Sequence, residues 1–390
     1  MTERDRYFVG GFSTEPSLPW EDPALYPEPL PDRDFGYLQG KAKLIAATPD
    51  ELYRRCEQAD VQLVWTPATP HLVPPSEVPG LEDALQTRAR RRFWLYTVII
   101  ALLLIVLLAT AHISTIDPTL TDTTAPDNFI VTVLASVLAP ALAFGIALWQ
   151  YRRQFVEPGA IAATRTRYFY WLRSRRFPLT NLAINVCCVL FILMIANLPE
   201  AVEAAALDKA AVRNGEIWRL LTGALLHGGG LHLLSNMIIL RWVGREVEVS
   251  AHRAFVPLVL FVSMLAGSLS SYFLLPETSV GISGGVLGLL GYLFIFRWKA
   301  RRLLPRGLAL RFIFWIVWFM VDGLLSQGIV DNAAHVGGLL AGMAIGWLAV
   351  PAQPQSVPLR IHPLLEALGY ALLGAFVIAA IGTGWLLVTA

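Results

Sequence analysis

Charge is what this sequence has least of. Only 15% of its 390 residues are Asp, Glu, Lys or Arg, while 55% are apolar; soluble domains hold roughly 25% and roughly 45 to 50%. A shortage of that size, spread over most of the length, excludes a cytosolic globule, a disordered chain and a secreted scaffold. Cysteine is also scarce. Cys56 lies in the polar N-terminal part, and Cys187 and Cys188 are adjacent in an apolar run, so neither a disulfide framework nor a four-cysteine metal site can be drawn. Nothing in the first 80 residues pairs a charged segment with an apolar stretch, so no removable signal peptide is expected. What remains is a membrane protein.

About 20 apolar residues cross a hydrocarbon core of about 30 Å. Runs of that kind lie at 93–113, 129–150, 179–197, 231–247, 255–275, 281–296, 308–326, 333–350 and 364–388. Arginine fixes their expected orientation, because Lys and Arg favour loops that stay in the cytoplasm. Arg88 and Arg90 to Arg92 precede the first run, and Arg152, Arg153, Arg165, Arg167, Arg173, Arg175 and Arg176 separate the second from the third. The same side receives Arg241, Arg245, Arg253, the basic stretch from Arg297 to Arg311, and Arg360; the other side has only Lys209, Arg213 and Arg219. The alternation predicts an N-inside, C-outside chain, and a bacterial cell membrane is the expected location.

The polar N-terminus reads as a Pro-rich disordered arm over 1–38 and a small mixed α/β cytoplasmic domain over 39–80. In the latter, a strand over 41–47, a helix opened by Thr48, Pro49 and Glu51 and ending near Gln58, and a strand over 61–67 are expected. His71 reads as a surface residue.

Chemistry in such a chain should appear as polar groups placed where hydrocarbon makes them costly. Three stretches qualify: HGGGLHLLSN with His227, His232 and Asn236, GISGGVLGLLG with Ser283, and DNAAHVGGLLAG with His335. All three sit at the outer ends of their runs, so they can share one site. Gly228 to Gly230 leave His227 in a loop and start a helix near Leu231. His232 and Asn236 are then one turn apart on one face. The run at 281–296 is short, about 24 Å at about 1.5 Å per residue, so Ser283 should lie below the surface at a helix N-terminus with free N–H groups. Gly338 and Gly342 have the spacing that lets two membrane helices touch backbone to backbone, and so do Gly284 and Gly288. Packing these faces would bring Ser283 to His335, a weak nucleophile to its usual base, with donors on the fourth run to hold an oxyanion.

Taken together, Trp218-Arg219, the H-x4-H-x3-N of His227, His232 and Asn236, the G-x-S-G of Gly281 to Gly284 with Gly288 and Gly291, and the A-H-x2-G-x3-G around His335 resemble the rhomboid intramembrane serine proteases. The resemblance covers about 179–350. It implies an all-α polytopic membrane protein with a six-helix core, here with two extra helices before it (93–150) and one after it (364–390). It also implies Ser283 as nucleophile, His335 as base, His232 and Asn236 as oxyanion donors, and His227, Gly281, Gly284, Trp218 and Arg219 in support. No cofactor and no nucleic acid are implied; the partners are membrane lipid and a single-span transmembrane protein substrate. Glu248 falls where the family often has a structural Glu, although on sequence alone it reads as a solvated charge. Trp218 and Arg219 read equally well as an interfacial anchor. The sequence departs from the pattern at Leu287, where many rhomboids carry an aromatic residue beside the catalytic His.

Other classes fit less well. There is no HExxH, and His227 and His232 stand five apart with no acidic residue between them. GISGG lacks the strand that a soluble nucleophile elbow needs. Asp322 has no intramembrane acidic partner, and no internal repeat suggests a transporter. The rival that stays open is a catalytically silent rhomboid-like protein that binds membrane clients, as derlins do.

Overall fold

The computed structural model describes residues 18–40, 43–59, 61–69, 71–95, 97–98, 159–196, 198–305 and 331–389. The spans expected at 129–150 and 308–326, and all but the first residues of 93–113, lie outside them.

The N-terminal part is a three-stranded antiparallel sheet, β1 (Gly36–Gln39), β2 (Lys43–Ala46) and β3 (Val64–Trp65) in the order β2-β1-β3, with helix α1 (Pro49–Gln58). Thr48 and Glu51 form a reciprocal cap on α1: the Thr48 N–H donates to Glu51 Oε2 at 2.8 Å and the Glu51 N–H to Thr48 Oγ1 at 3.2 Å. The boundary expected at residue 38 does not match the packing. β1 is the central strand, and Trp20 is fully buried between Tyr168 and Trp171, its ring centroid 5.0 Å from that of Tyr168. Single aromatic anchors in a Pro-rich stretch leave no periodicity, so composition alone reads as disorder.

Their receptor is α2 (Gly159–Ser174), which lies within the basic connection between the second and third runs. Tyr170 stacks on Tyr26 at 5.5 Å, and Arg167 grips Glu77 with two hydrogen bonds of 2.5 and 2.7 Å. α2 therefore joins the N-terminal domain to the membrane part.

That part is built from α3 (Pro178–Ala196), three short helices α4 (Leu198–Ala205), α5 (Lys209–Arg213) and α6 (Arg219–Leu225), then α7 (Gly230–Glu246), a π-helical turn (Val247–Ala251), α8 (Phe255–Leu274), α9 (Ser283–Lys299), α10 (Asn332–Ala349) and α11 (Pro363–Thr389). Among the described residues, α3, α8, α10 and α11 are long and apolar enough to cross a membrane, and α7 and α9 have 17 residues each. α8, α9 and α10 pack mutually at the centre, and α11 lies against α3 and α8. The chain is thus a mostly helical, polytopic membrane protein.

Two buried acids close the end of the core that faces the N-terminal domain. Glu246 pairs with Arg297 near the end of α9, and Tyr168 of α2 donates to Glu246 at 3.2 Å. Glu248 is not the solvated charge its sequence suggests. It is buried and accepts hydrogen bonds from the N–H groups of Leu179 and Thr180 at 3.0 and 2.8 Å and from the Thr180 hydroxyl at 2.7 Å. A carboxylate here satisfies orphan donors at the N-terminus of α3 and meets the positive end of its dipole.

Candidate active site

Glycine brings α9 and α10 together. A Cβ on Gly338 would overlap the Gly284 carbonyl, and one on Gly342 would overlap that of Gly288. Gly267 of α8 joins them, since a Cβ there would lie 2.8 Å from the Ala334 carbonyl oxygen. At this separation side chains one position from the contact meet directly. Ser283 Oγ and His335 Nε2 are 2.8 Å apart, with His335 buried at the start of α10. Asp331 sets that start: its Oδ1 accepts from the Ala334 N–H at 2.8 Å, and its carbonyl accepts from the His335 N–H at 3.1 Å.

Ser283 opens α9, so the N–H groups of Ser283, Gly284 and Gly285 have no acceptor within the helix. The turn before it needs glycine. Gly281 has φ +130°, and a Cβ there would lie 3.1 Å from His232 Nε2 and 3.8 Å from Ser283 Oγ. His232 and Ser283 therefore flank the same small space. The Gly228 N–H donates to His232 Nδ1 at 3.3 Å, which leaves the proton of a neutral His232 ring on Nε2, facing that space.

Asn236 is held differently from His232. Its amide N–H donates to the His232 carbonyl at 2.9 Å, so the one-turn spacing links the two residues to each other. A second N–H of that amide remains as a donor. His227 is fully buried in the loop before α7, its ring 5.4 Å from that of His232 and edge-on to it.

The remaining sequence candidates organise the loop. Arg219 is 7% exposed and donates to the carbonyls of Glu203 and Ala206 at 2.8 and 3.0 Å and to Glu216 at 2.7 Å. It pins α6 to α4 and does not snorkel. Trp218 beside it is 47% exposed, which suits an anchor at an interface.

Four residues that the sequence did not flag complete the frame. Lys209 is buried and donates to the Glu277 carbonyl and to Ser279 Oγ, the latter at 3.0 Å. Leu207 and Ser279 pair as a β-bridge, with N–H to O distances of 3.0 and 3.2 Å. Gly223 accepts the Gly281 N–H at 3.1 Å and has no room for a Cβ against Leu207. In sequence Lys209 is one outer-loop charge among few. Its signal is only that it is buried, which no local pattern carries.

Comparison with known proteins agrees with this architecture. Residues 214–352 match the family model of the rhomboid domain. The chain is similar to the RHOMBOID-like protein 6, mitochondrial, of Arabidopsis thaliana, 38% identical over 159 residues that make up 40% of this chain and 50% of that protein. It is similar to the Rhomboid protease GluP of Bacillus subtilis, 30% identical over 191 residues, 49% of this chain and 35% of that one. The Rhomboid protease GlpG of Yersinia pestis is 29% identical over 189 residues, 47% of this chain and 66% of that protein. The chain thus spans about half the length of the first of these relatives or less, and they come from both a plant and bacteria.

Proposed function

The chain belongs to the rhomboid family through residues 214–352, and from that premise we propose that it is an intramembrane serine endopeptidase cleaving in or near the transmembrane segment of another membrane protein. The observation that carries this reading is the 2.8 Å hydrogen bond between Ser283 Oγ and His335 Nε2, part-buried where three glycine-bearing helices meet. Partial burial strengthens such a bond and the electrostatic terms around it.

In the proposed reaction, His335 takes the Ser283 proton as Oγ attacks the scissile carbonyl carbon. The oxygen that gains charge is met by the His232 Nε2 proton, by the free N–H groups at the start of α9 and by the second amide proton of Asn236. His335 then gives its proton to the leaving amine. A water molecule, deprotonated by the same imidazole, hydrolyses the acyl-serine and restores the hydroxyl. The substrate must present an extended strand, because a helix keeps its carbonyls in internal hydrogen bonds. A single-span helix that unwinds easily is the proposed substrate, entering the site from the non-cytoplasmic side in keeping with the arginine distribution.

The test uses purified wild type and Ser283→Ala with a model transmembrane substrate and a serine-reactive fluorophosphonate. Cleavage and labelling by wild type alone support the protease. A wild-type protein that binds the substrate yet neither cleaves it nor takes the label is a client-binding member, and the proposal fails.

A further inference from the structure

At the end of the core away from Ser283, about 14 to 20 Å along α7 from His232 at about 1.5 Å per residue, arginines gather whose charges the two buried acids there do not pair. Arg241 and Arg245 both lie over the ring of Phe177, at 4.9 and 5.0 Å from its centroid. Arg173, at the end of α2, is close enough to Arg245 to repel it, as is Arg241. Arg175 and Arg176 are exposed in the corner that joins α2 to α3. None of these five forms an ion pair with a carboxylate among the described residues. Glu246 and Glu248 are the acids beside them, and both are engaged elsewhere: Glu246 pairs with Arg297, and the Glu248 oxygens accept from Leu179 and Thr180.

Like charges one helical turn apart destabilise a helix, and here a third joins them. The donors are far from used up. Arg245 gives one N–H to the Leu172 carbonyl at 2.7 Å and Arg241 one to Asn181 Oδ1 at 3.3 Å, out of five on each guanidinium. Arg173 and Arg241 are exposed. Phe177 thus holds two guanidinium groups against its ring at the foot of two apolar helices. Above them, Leu234 and Ile238 of α7 are 54% and 59% exposed, and Val189 and Ile192 of the adjoining α3 are 56% and 63% exposed.

We propose that Arg173, Arg241 and Arg245 form a binding site for the phosphate headgroup of an anionic phospholipid, whose acyl chains lie along the exposed apolar faces of α3 and α7. A phosphate would cancel the repulsion between the three cations and accept the donors they have left. The apolar faces select a lipid over a free anion. The site also ties the α2–α3 corner, and with it the docked N-terminal domain, to the bilayer surface.

The experiment uses the full chain in neutral detergent, with lipid binding followed by native mass spectrometry and by thermal unfolding. The probes are phosphatidylglycerol, phosphatidylcholine and inorganic phosphate. Wild type should bind phosphatidylglycerol in preference to phosphatidylcholine and be stabilised by it, with inorganic phosphate ineffective. Arg173→Gln/Arg241→Gln spares the Arg245–Leu172 bond and should weaken phosphatidylglycerol about tenfold or more, on the scale of the attraction of a basic side chain to an anionic membrane surface. Arg175→Gln/Arg176→Gln, on exposed arginines outside the proposed site, should keep most of the affinity. Equal loss in both double variants would mean diffuse surface charge, and equal stabilisation by inorganic phosphate would mean an anion site; either result overturns the proposal, as does indifference to the headgroup.

Discussion

Gly338 of α10 lies against Gly284 of α9 so closely that a Cβ on the former would overlap the carbonyl of the latter. Ser283 is one residue before Gly284, and His335 is three residues, close to one turn, before Gly338. The backbone contact thus fixes the height at which hydroxyl and imidazole meet at 2.8 Å. Gly338→Ala should force the helices apart, costing about 1 to 3 kcal/mol of stability. Cleavage should fall further, on the order of a hundredfold, because a displacement of about 1 Å at the reacting atoms has that effect. Gly374→Ala is the control, since a Cβ there meets nothing within 4 Å. Comparable activity in the two variants would show that the glycine contact does not set the geometry.

Ser283→Ala and His335→Ala should each abolish cleavage, with the double variant no worse than either. A nucleophile and its base act as a unit, so their losses do not add. Fluorophosphonate labelling of Ser283 should also vanish in His335→Ala. Rates measured for both singles and the double settle it: additive losses would mean two independent roles.

Glu248→Gln keeps the shape of the side chain but removes the charge that meets three donors of α3. Buried hydrogen bonds to a charged group are worth about 1.5 to 3 kcal/mol each and do not sum fully, so a loss of about 2 to 4 kcal/mol is expected. Turnover per folded molecule should stay unchanged, because Glu248 sits on the π-helical turn at the far end of α7 from His232. Thermal unfolding read beside specific activity separates the two effects. A drop in turnover without a drop in stability would contradict a purely structural role.

How much of this was legible in sequence depended on distance along the chain. The Gly284/Gly288 and Gly338/Gly342 spacings are local, and they suffice to predict which faces of α9 and α10 touch. Gly228 to Gly230 likewise mark the start of α7 within one residue. Glu248 was misread because its donors lie nearly 70 residues earlier, and only the folded chain brings them together. Lys209 and Ser279 were missed for the same reason. His232 and Asn236 share a face as expected, but periodicity could not reveal that the Asn236 amide would turn to the His232 carbonyl. Trp20 sits in a composition typical of disorder, and its burial depends on an α2 surface rich in both arginine and aromatic rings.

Acid should weaken the protein through His227. Burial, reinforced by the neighbouring His232, pulls the His227 ring from an ordinary 6.5 down to about 4. Below its unfolded value the unfolded chain therefore binds more protons than the folded one, so the neutral ring's contribution is fully present above pH 6.5 and is lost as pH falls toward 4. Between about pH 7 and about pH 5 the loss amounts to about 2 kcal/mol. His227→Gln cannot titrate. It should be less stable than wild type near neutral pH, because it loses the edge-on contact with His232, yet decline less on acidification, so that the two unfolding profiles converge. Thermal unfolding of both proteins across that window, in a detergent whose charge does not change with pH, reads the difference directly. Parallel profiles would mean that His227 carries the same proton in both states, either because water reaches the ring or because the loop before α7 opens in acid before the ring is charged.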